Sequence, residues 1–307
     1  MLKNNKKDNL YIITVFFNPC KFNNLRQNYY IFRNEIEKNE NVNLITVELS
    51  FDGQFELVGD NIYQLSSNSI MWQKERLINY GITLLPKDCY KFIWSDCDIL
   101  FLNPNWLEIA LTELKENTII QVYKKVYLSP KGEREFSPFF TSQQGVLWQY
   151  KIHKNWLNRR ISKELKFSSP GFIWGVNSKG FKELGLYDKG ITGSGDTIIL
   201  DCLLDSEGIH GYYDKTTDSM KQSIKEYKNK LKSLNLNIGY APLDIQHLYH
   251  GTTANRNYLP RHEILRDNNF DPNLDIKLDC NVFEWNSAKI DMHDRIKQYF
   301  FDRKEDL

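Results

Sequence analysis

The 307-residue chain lacks the cysteine spacings that mark a zinc site or a disulfide framework. Its five cysteines, Cys20, Cys89, Cys97, Cys202 and Cys280, are odd in number and far apart, and no CxxC pair occurs. Net charge is also nearly absent. Forty Lys and Arg oppose 39 Asp and Glu, leaving +1, so the whole-chain field announces no polyanionic partner, although a local basic patch stays open. No apolar run approaches the ~18 residues that would span a bilayer. The opening MLKNNKKDNL has no apolar stretch of the signal-peptide kind. These absences predict a soluble protein of a reducing compartment, the cytoplasm. Internal repeats, low-complexity blocks and linkers are missing as well, which predicts one domain in two halves.

What is present fits an ordinary globular chain, 41% hydrophobic and 26% charged. The aromatic share, 14%, suits a sugar-handling cleft and equally a thick core. After a lead-in at 1–10, residues 11–17 (YIITVFF) form a continuous apolar run of strand length, as in a buried parallel sheet. Leu25, Tyr29, Phe32 and Ile36 fall at helical spacing over 24–38, and LITVEL (44–49) reads as a second strand. Strand, helix, strand is the signature of an α/β sheet. Further strands are expected at 61–65, 90–94, 99–102, 118–127 and 243–249. Helices are expected at 71–84, 106–115, 148–165, 178–184, 217–234 and 289–303. The polar stretch 131–144 reads as a mobile loop. The lysine-rich face of the 217–234 helix is most simply a solvated face.

The strand YKFIW runs straight into Asp96-Cys97-Asp98. Two carboxylates at the end of a buried strand repel each other and pay for desolvation. A divalent cation resolves this, and oxygen ligands suit Mg²⁺ or Mn²⁺, which keep positions open for phosphates. The carboxyl end of a strand is also where ligands bind in open α/β sheets. The structural alternative is a pair of capping aspartates on a tight turn.

The run FIWSDCDILF resembles the DxD motif of GT-A-fold glycosyltransferases, and further segments follow in that family's order. YIITVFFN, ending near Phe17, resembles its nucleotide-binding opening strand. Glu48 matches the acid that meets the base. QKERLINYG resembles the R-x-x-N-x-G helix and brings in Arg76 and Asn79. PGFIWGVNSKGFKELGLYDKGITGSGD resembles the family's second half. His250 matches a further metal ligand. The resemblance spans about Tyr11 to Arg261 and is closest to family-2-like enzymes, including those of phages and large viruses. It implies an α/β GT-A (Rossmann-like) mixed sheet flanked by helices. Together with the strand and helix pattern it divides the chain into a nucleotide-sugar-binding half at 11–102, an acceptor-binding and catalytic half at 103–260 and, beyond the resemblance, a helical tail at 261–307. The implied cofactor is Mn²⁺ or Mg²⁺, and the donor is a nucleotide sugar, with UDP as the family default.

On this resemblance Asp98 is the direct metal ligand, and Asp96 meets the metal or the donor's ribose. His250 is the third ligand, with His247 as its rival. Residues 247 and 250 face opposite sides of a strand, so only one of the pair is expected to ligate. Arg256 and Arg261 can pair with phosphate oxygens, or lie with Tyr258 in a solvated loop. Asp196 ends the turn Gly193-Ser194-Gly195-Asp196, where glycine lets backbone approach a ligand. The matching acid of inverting members takes the acceptor hydroxyl's proton, while the plainer role is a helix N-cap. Trp174 and Phe172 are candidates for sugar or acceptor contact, with core packing the alternative. The acceptor stays open among a glycan, a protein side chain and a hydroxylated DNA base.

Two other functions compete. A nucleotidyltransferase would carry a Gly-rich, Lys- or Arg-bearing loop after the first strand, where this chain has Phe17-Asn18-Pro19-Cys20. A silent nucleotide-sugar- or carbohydrate-binding protein is the second alternative, and the set Asp96, Asp98, Asp196 and His250 weighs against it.

Overall fold

Alternation along the first two strands sets the architecture. Residues 9–166, 168–206 and 212–307 are described by a computed structural model. In chain order its strands are β1 (Leu10–Phe17), β2 (Val42–Ser50), β3 (Ile62–Ser66), β4 (Lys91–Ser95), β5 (Ile99–Phe101), β6 (Thr118–Gln121), β7 (Lys125–Leu128), β8 (Ser142–Gly145), β9 (Ser168–Ser169), β10 (Ile173–Asn177), β11 (Asn237–Tyr240), β12 (Asp244–His247), β13 (Ile276–Asp279) and β14 (Val282–Trp285). The helices are α1 (Asn23–Glu37), α2 (Lys74–Thr83), α3 (Trp106–Glu113), α4 (Val146–Ile152), α5 (Trp156–Ile161), α6 (Lys179–Leu184), α7 (Gly195–Leu204), α8 (Asp218–Ser233), α9 (Pro260–Asp267) and α10 (Ile290–Asp302).

Ile13 and Val15 of β1, with Ile45 and Val47 of β2, share one core with Leu77 and Ile78 of α2. Leu10, Ile12 and Leu44 point the other way and share a second core with Phe32 and Ile36 of α1. Period-two side chains therefore feed two helical layers, which is why these strands are apolar throughout.

The central sheet has the order β11-β6-β10-β4-β1-β2-β3. β1, β2, β3 and β4 pair in parallel, while β10 is antiparallel to both β4 and β6. The expected mixed α/β sheet with flanking helices is what is found. A second sheet, β5-β12-β7-β8-β9, lies at the end of β4. The 118–127 segment is thus two strands in two sheets, β6 and β7, rather than one. The 148–165 helix is two short helices, interrupted where Asn155 turns left-handed at φ 55°. β12 stops at His247 rather than running to 249, and β8 begins inside the stretch expected to be a loop. The lead-in falls almost wholly outside the described residues.

α9 and the β13–β14 hairpin were not anticipated. The 261–307 region, expected as a helical tail, carries the β13–β14 hairpin as well as helices. Leu265, Phe270, Val282, Met292, Ile296 and Phe300 join the same core as Ile13 and Leu77. Among the described residues no helix is long and apolar enough to cross a membrane.

Candidate metal centre and its neighbours

The junction of the two sheets assembles the site. β4 ends at Ser95, and Asp96 N donates to Phe172 O (2.8 Å) as the chain leaves the central sheet. Three residues later Ile99 pairs with His247 across the antiparallel β5–β12 ladder, and Leu248 N donates to Asp98 O (2.9 Å). This pairing puts the Asp98 carboxylate beside the end of β12.

Asp98, His247 and His250 converge there, all three buried. Asp98 Oδ2 lies 3.0 Å from His250 Nε2 and 3.6 Å from His247 Nε2, and the two Nε2 atoms are 3.1 Å apart. Ligands at about 2.1 Å and right angles around an octahedral cation stand about 3 Å apart, so this triangle fits one face of such an ion. Asp98 Oδ1 is buried without a hydrogen-bond partner. The Arg256 guanidinium, which can only donate, stands 2.9 Å from the same His250 Nε2 that meets Asp98. A neutral Nε2 that accepts from Arg256 cannot also donate to Asp98, so no one protonation state of that nitrogen satisfies both. A cation would take up the lone pairs of Asp98, His247 and His250, and Arg256 would then have to turn away from Nε2. Burial alone would raise the Asp98 pKa, yet the imidazoles of His247 and His250 hold it well below the carboxylate range. Burial lowers His247 against the pull of Asp98. For His250, burial and Arg256 are outweighed by Asp98 and Glu305, and its pKa rises.

That residues 247 and 250 point to opposite sides is the expectation this geometry corrects. The opposite-face rule holds within a strand, but the strand ends at His247, and residues 248–250 curl back to bring the second ring to the first.

Asp96 lies outside this cluster. Its Oδ1 is 2.5 Å from Lys74 Nζ, which is also 3.0 Å from Asp196 Oδ2. Lys74 therefore bridges the first aspartate of the DxD turn and the candidate base. Burial, reinforced by Asp196 and Asp98, raises Asp96 to about 6 in spite of Lys74. Next to Lys74, Glu75 is 4% exposed, and burial raises it to about 8 against the opposing pull of Lys74. Neither residue of this pair was singled out from sequence. A signal existed, because Lys74 sits one turn before Leu77 and Ile78, on the buried stripe of α2.

Asp196 lies in the first turn of α7, and a Cβ on Gly171 would sit 3.3 Å from its Oδ2. The turn before it is held from behind. His262 Nδ1 and Nε2 are each 2.8 Å from the hydroxyls of Thr192 and Ser194, and Arg261 donates to Ser194 Oγ (3.1 Å) and Tyr299 Oη (2.7 Å). Arg261 is thus committed to buttressing the turn rather than facing a phosphate. Tyr258, by contrast, is 49% exposed.

Other expectations change in the same way. Trp174 is fully buried, stacked on Trp94 with centroids 6.1 Å apart, and donates to Pro170 O (2.9 Å). It is a core residue, not a sugar platform. Phe172 is the aromatic at the site. It adopts φ 79°, a strained value for a bulky residue, with its ring 4.9 Å from His247. Gly195 makes room for Glu75, whose Oε1 would lie 2.1 Å from an added Cβ. Arg76 pairs with Asp188 (2.9 Å), and Asn79 exchanges hydrogen bonds with Leu186, so both tie α2 to the 186–188 turn rather than reaching for a nucleotide. Glu48 accepts from Glu56 N, Leu57 N and Gln64 Nε2. It lines a concavity of about 90 Å³ with Asn18, Lys21, Ser50 and Asp52. Phe17 packs edge-on against Trp72 at 5.1 Å.

No family model matches the chain, and no curated protein sequence does. Among solved structures it is similar to the catalytic domain of Drosophila beta1,4galactosyltransferase 7 in complex with xylobiose (14% identity, 76% of this chain, 64% of that chain, TM-score 0.35). A mutant of that enzyme in complex with manganese, UDP-Gal and xylobiose is similar to the same degree (13%, 75% and 64%, TM-score 0.35). The chain thus covers less than two thirds of both. It is also similar to the galactosyltransferase LgtC in complex with donor and acceptor sugar analogs (10%, 96% of each chain, TM-score 0.32).

Proposed function

We propose that this chain is a metal-dependent glycosyltransferase that moves a sugar from a nucleoside diphosphate to an acceptor hydroxyl. The observation that carries the proposal is the convergence of Asp98, His247 and His250 at the carboxyl end of β4, with Lys74 and Asp196 immediately beyond Asp96. Asp98, His247 and His250 would hold Mn²⁺ or Mg²⁺, which when bound neutralises charge on a departing diphosphate. Arg256, now 2.9 Å from His250 Nε2, would turn to pair with phosphate oxygens beside the cation. Asp196 takes the proton of the acceptor hydroxyl as its oxygen bonds to the anomeric carbon. The bond from that carbon to the phosphate oxygen breaks, and its electron pair leaves with the nucleoside diphosphate. Attack opposite the leaving group inverts the anomeric centre. Lys74 offsets the charge of Asp96 on the donor side and Asp196 on the acceptor side. The concavity at Glu48 is the candidate seat for the nucleoside, with UDP the first donor to try.

Two histidines and one carboxylate also suit an Fe²⁺ oxygenase centre, and this triad is the observation that favours that second reading. A thermal-shift screen of nucleotide sugars with Mn²⁺, repeated on Asp98→Asn, separates the two. A donor-specific, Mn²⁺-dependent shift that disappears in Asp98→Asn supports glycosyl transfer. An identical shift in the variant counts against Asp98 as a ligand, and Fe²⁺ binding with no nucleotide-sugar response favours the oxygenase.

A further inference from the structure

Behind the metal cluster lies a carboxylate that the scheme above does not use. Glu305 is 2% exposed, and its Oε1 is 3.5 Å from His250 Nδ1, on the side of the ring away from Asp98. It is held rather than mobile. Arg303 Nε donates to Oε1 (2.5 Å), and Arg303 is itself fixed by Tyr299 Oη (3.0 Å) and by the face of Trp72 (5.2 Å). The segment around it is docked on both flanks. α1 has no cap of its own at its N-terminus, and Asp306 supplies one, accepting from Asn23 N (3.0 Å) and Asn24 N (2.8 Å). Asn24 Nδ2 donates to Glu305 O (2.9 Å), and Tyr249 Oη donates to Leu307 O. Gly251, at φ 89°, lets the two stretches touch, because an added Cβ would lie 3.0 Å from Glu305 Cα.

The ring of His250 therefore has a defined back and front. Its Nε2 faces Asp98 and His247, and its Nδ1 faces the Glu305 carboxylate, which can only accept when ionised. Arg256 Nη2 lies against the same ring, 3.3 Å from Nδ1 and 2.9 Å from Nε2, and as a donor-only group it cannot take the Nδ1 proton. A metal-ligating imidazole works best when its other nitrogen donates to such a group, which fixes the tautomer and the ring's direction. We propose that Glu305 is a positioning residue of this metal centre, orienting His250 through Nδ1 so that Nε2 presents its lone pair beside Asp98 and His247. The proposal rests on the reading of Asp98, His247 and His250 as cation ligands. It also makes segment 303–307 part of the centre. By linkage, a cation that needs this orientation stabilises the docked segment in return.

The test is Mn²⁺ affinity, measured by the electron paramagnetic resonance of free Mn²⁺ in titrations of the full chain, its Glu305→Ala variant and Asp98→Asn. We expect Glu305→Ala to bind about 10- to 100-fold more weakly than the wild type, and Asp98→Asn to lose binding. A merely structural role would lower the melting temperature of metal-free Glu305→Ala and leave Mn²⁺ affinity unchanged, and that result overturns the proposal while sparing the metal site. If the wild type binds no Mn²⁺, the metal site itself fails. Should Glu305→Ala not fold, amide hydrogen exchange of the wild type decides. Mn²⁺ slowing exchange across 303–307 as well as 247–251 supports the link, and protection confined to 247–251 overturns it.

Discussion

The Lys74 ammonium lies 3.0 Å from the Asp196 carboxylate, deep in the molecule and 122 residues away in sequence. With Asp96 2.5 Å away on its other side, the buried lysine faces three acids, the half-buried Asp96 and Asp196 and the buried Glu75. Removing one partner of a fully buried charge cluster costs about 3–5 kcal/mol, and the part exposure of Asp96 and Asp196 makes that an upper bound here. Lys74→Met should lose stability up to that bound in chemical denaturation. Lys74→Met/Asp196→Asn should be more stable than Lys74→Met alone, because the double variant removes one of the stranded charges. Strictly additive losses would show that the two groups do not interact.

Glu75 gives the fold a pH dependence of known sign. Its folded pKa is raised to about 8 from an ordinary 4.5, chiefly by burial. Between those values the folded chain keeps a proton that the unfolded chain has released. The associated stability is complete below about pH 4.5 and is lost as pH rises through 8. Glu75→Gln should therefore become progressively more stable relative to wild type from pH 5 to pH 8, by several degrees in melting temperature, with EDTA present throughout. Parallel melting curves across that range would mean that Glu75 is ionised in the folded protein.

Both histidines should matter to the cation. His247→Ala and His250→Ala are each expected to weaken Mn²⁺ binding by more than the about 10- to 100-fold typical of losing a partner that only orients a ligand. Isothermal titration of the two variants checks this. Full affinity in His247→Ala would restore the one-histidine arrangement that strand alternation implies.

Local chemistry made much of this legible in advance. The apolar runs of β1 and β2, the helical spacing of α1 and α8, and the aspartates closing β4 are all written in short windows. Asp98, His250 and Asp196 stand out because a carboxylate or imidazole at the end of an apolar run needs a reason to be there. What stayed hidden depends on pairing between distant segments. Nothing near His247 states that β12 ends there and folds His250 back. Lys74 reads as one more helical lysine until Asp96 and Asp196 are known to flank it. Glu305 meets His250 from 55 positions away, through an α10 whose own pattern speaks only of a core-facing helix. Trp174 shows the converse, since its Gly-flanked aromatic run resembles a binding platform, and the partner that buries it, Trp94, lies on a neighbouring strand.

The central claim is tested most directly by turnover. Release of nucleoside diphosphate from a panel of nucleotide sugars should be followed with Mn²⁺, with EDTA, and with Asp98→Asn, in the presence of glycan, protein and hydroxymethylated-DNA acceptors. The account predicts Mn²⁺-dependent release from one donor, abolished by EDTA and lowered by at least about 100-fold (about 2.7 kcal/mol of barrier) in Asp98→Asn. Undiminished release in Asp98→Asn, or Mn²⁺ bound tightly at Asp98, His247 and His250 with no donor consumed, would contradict it.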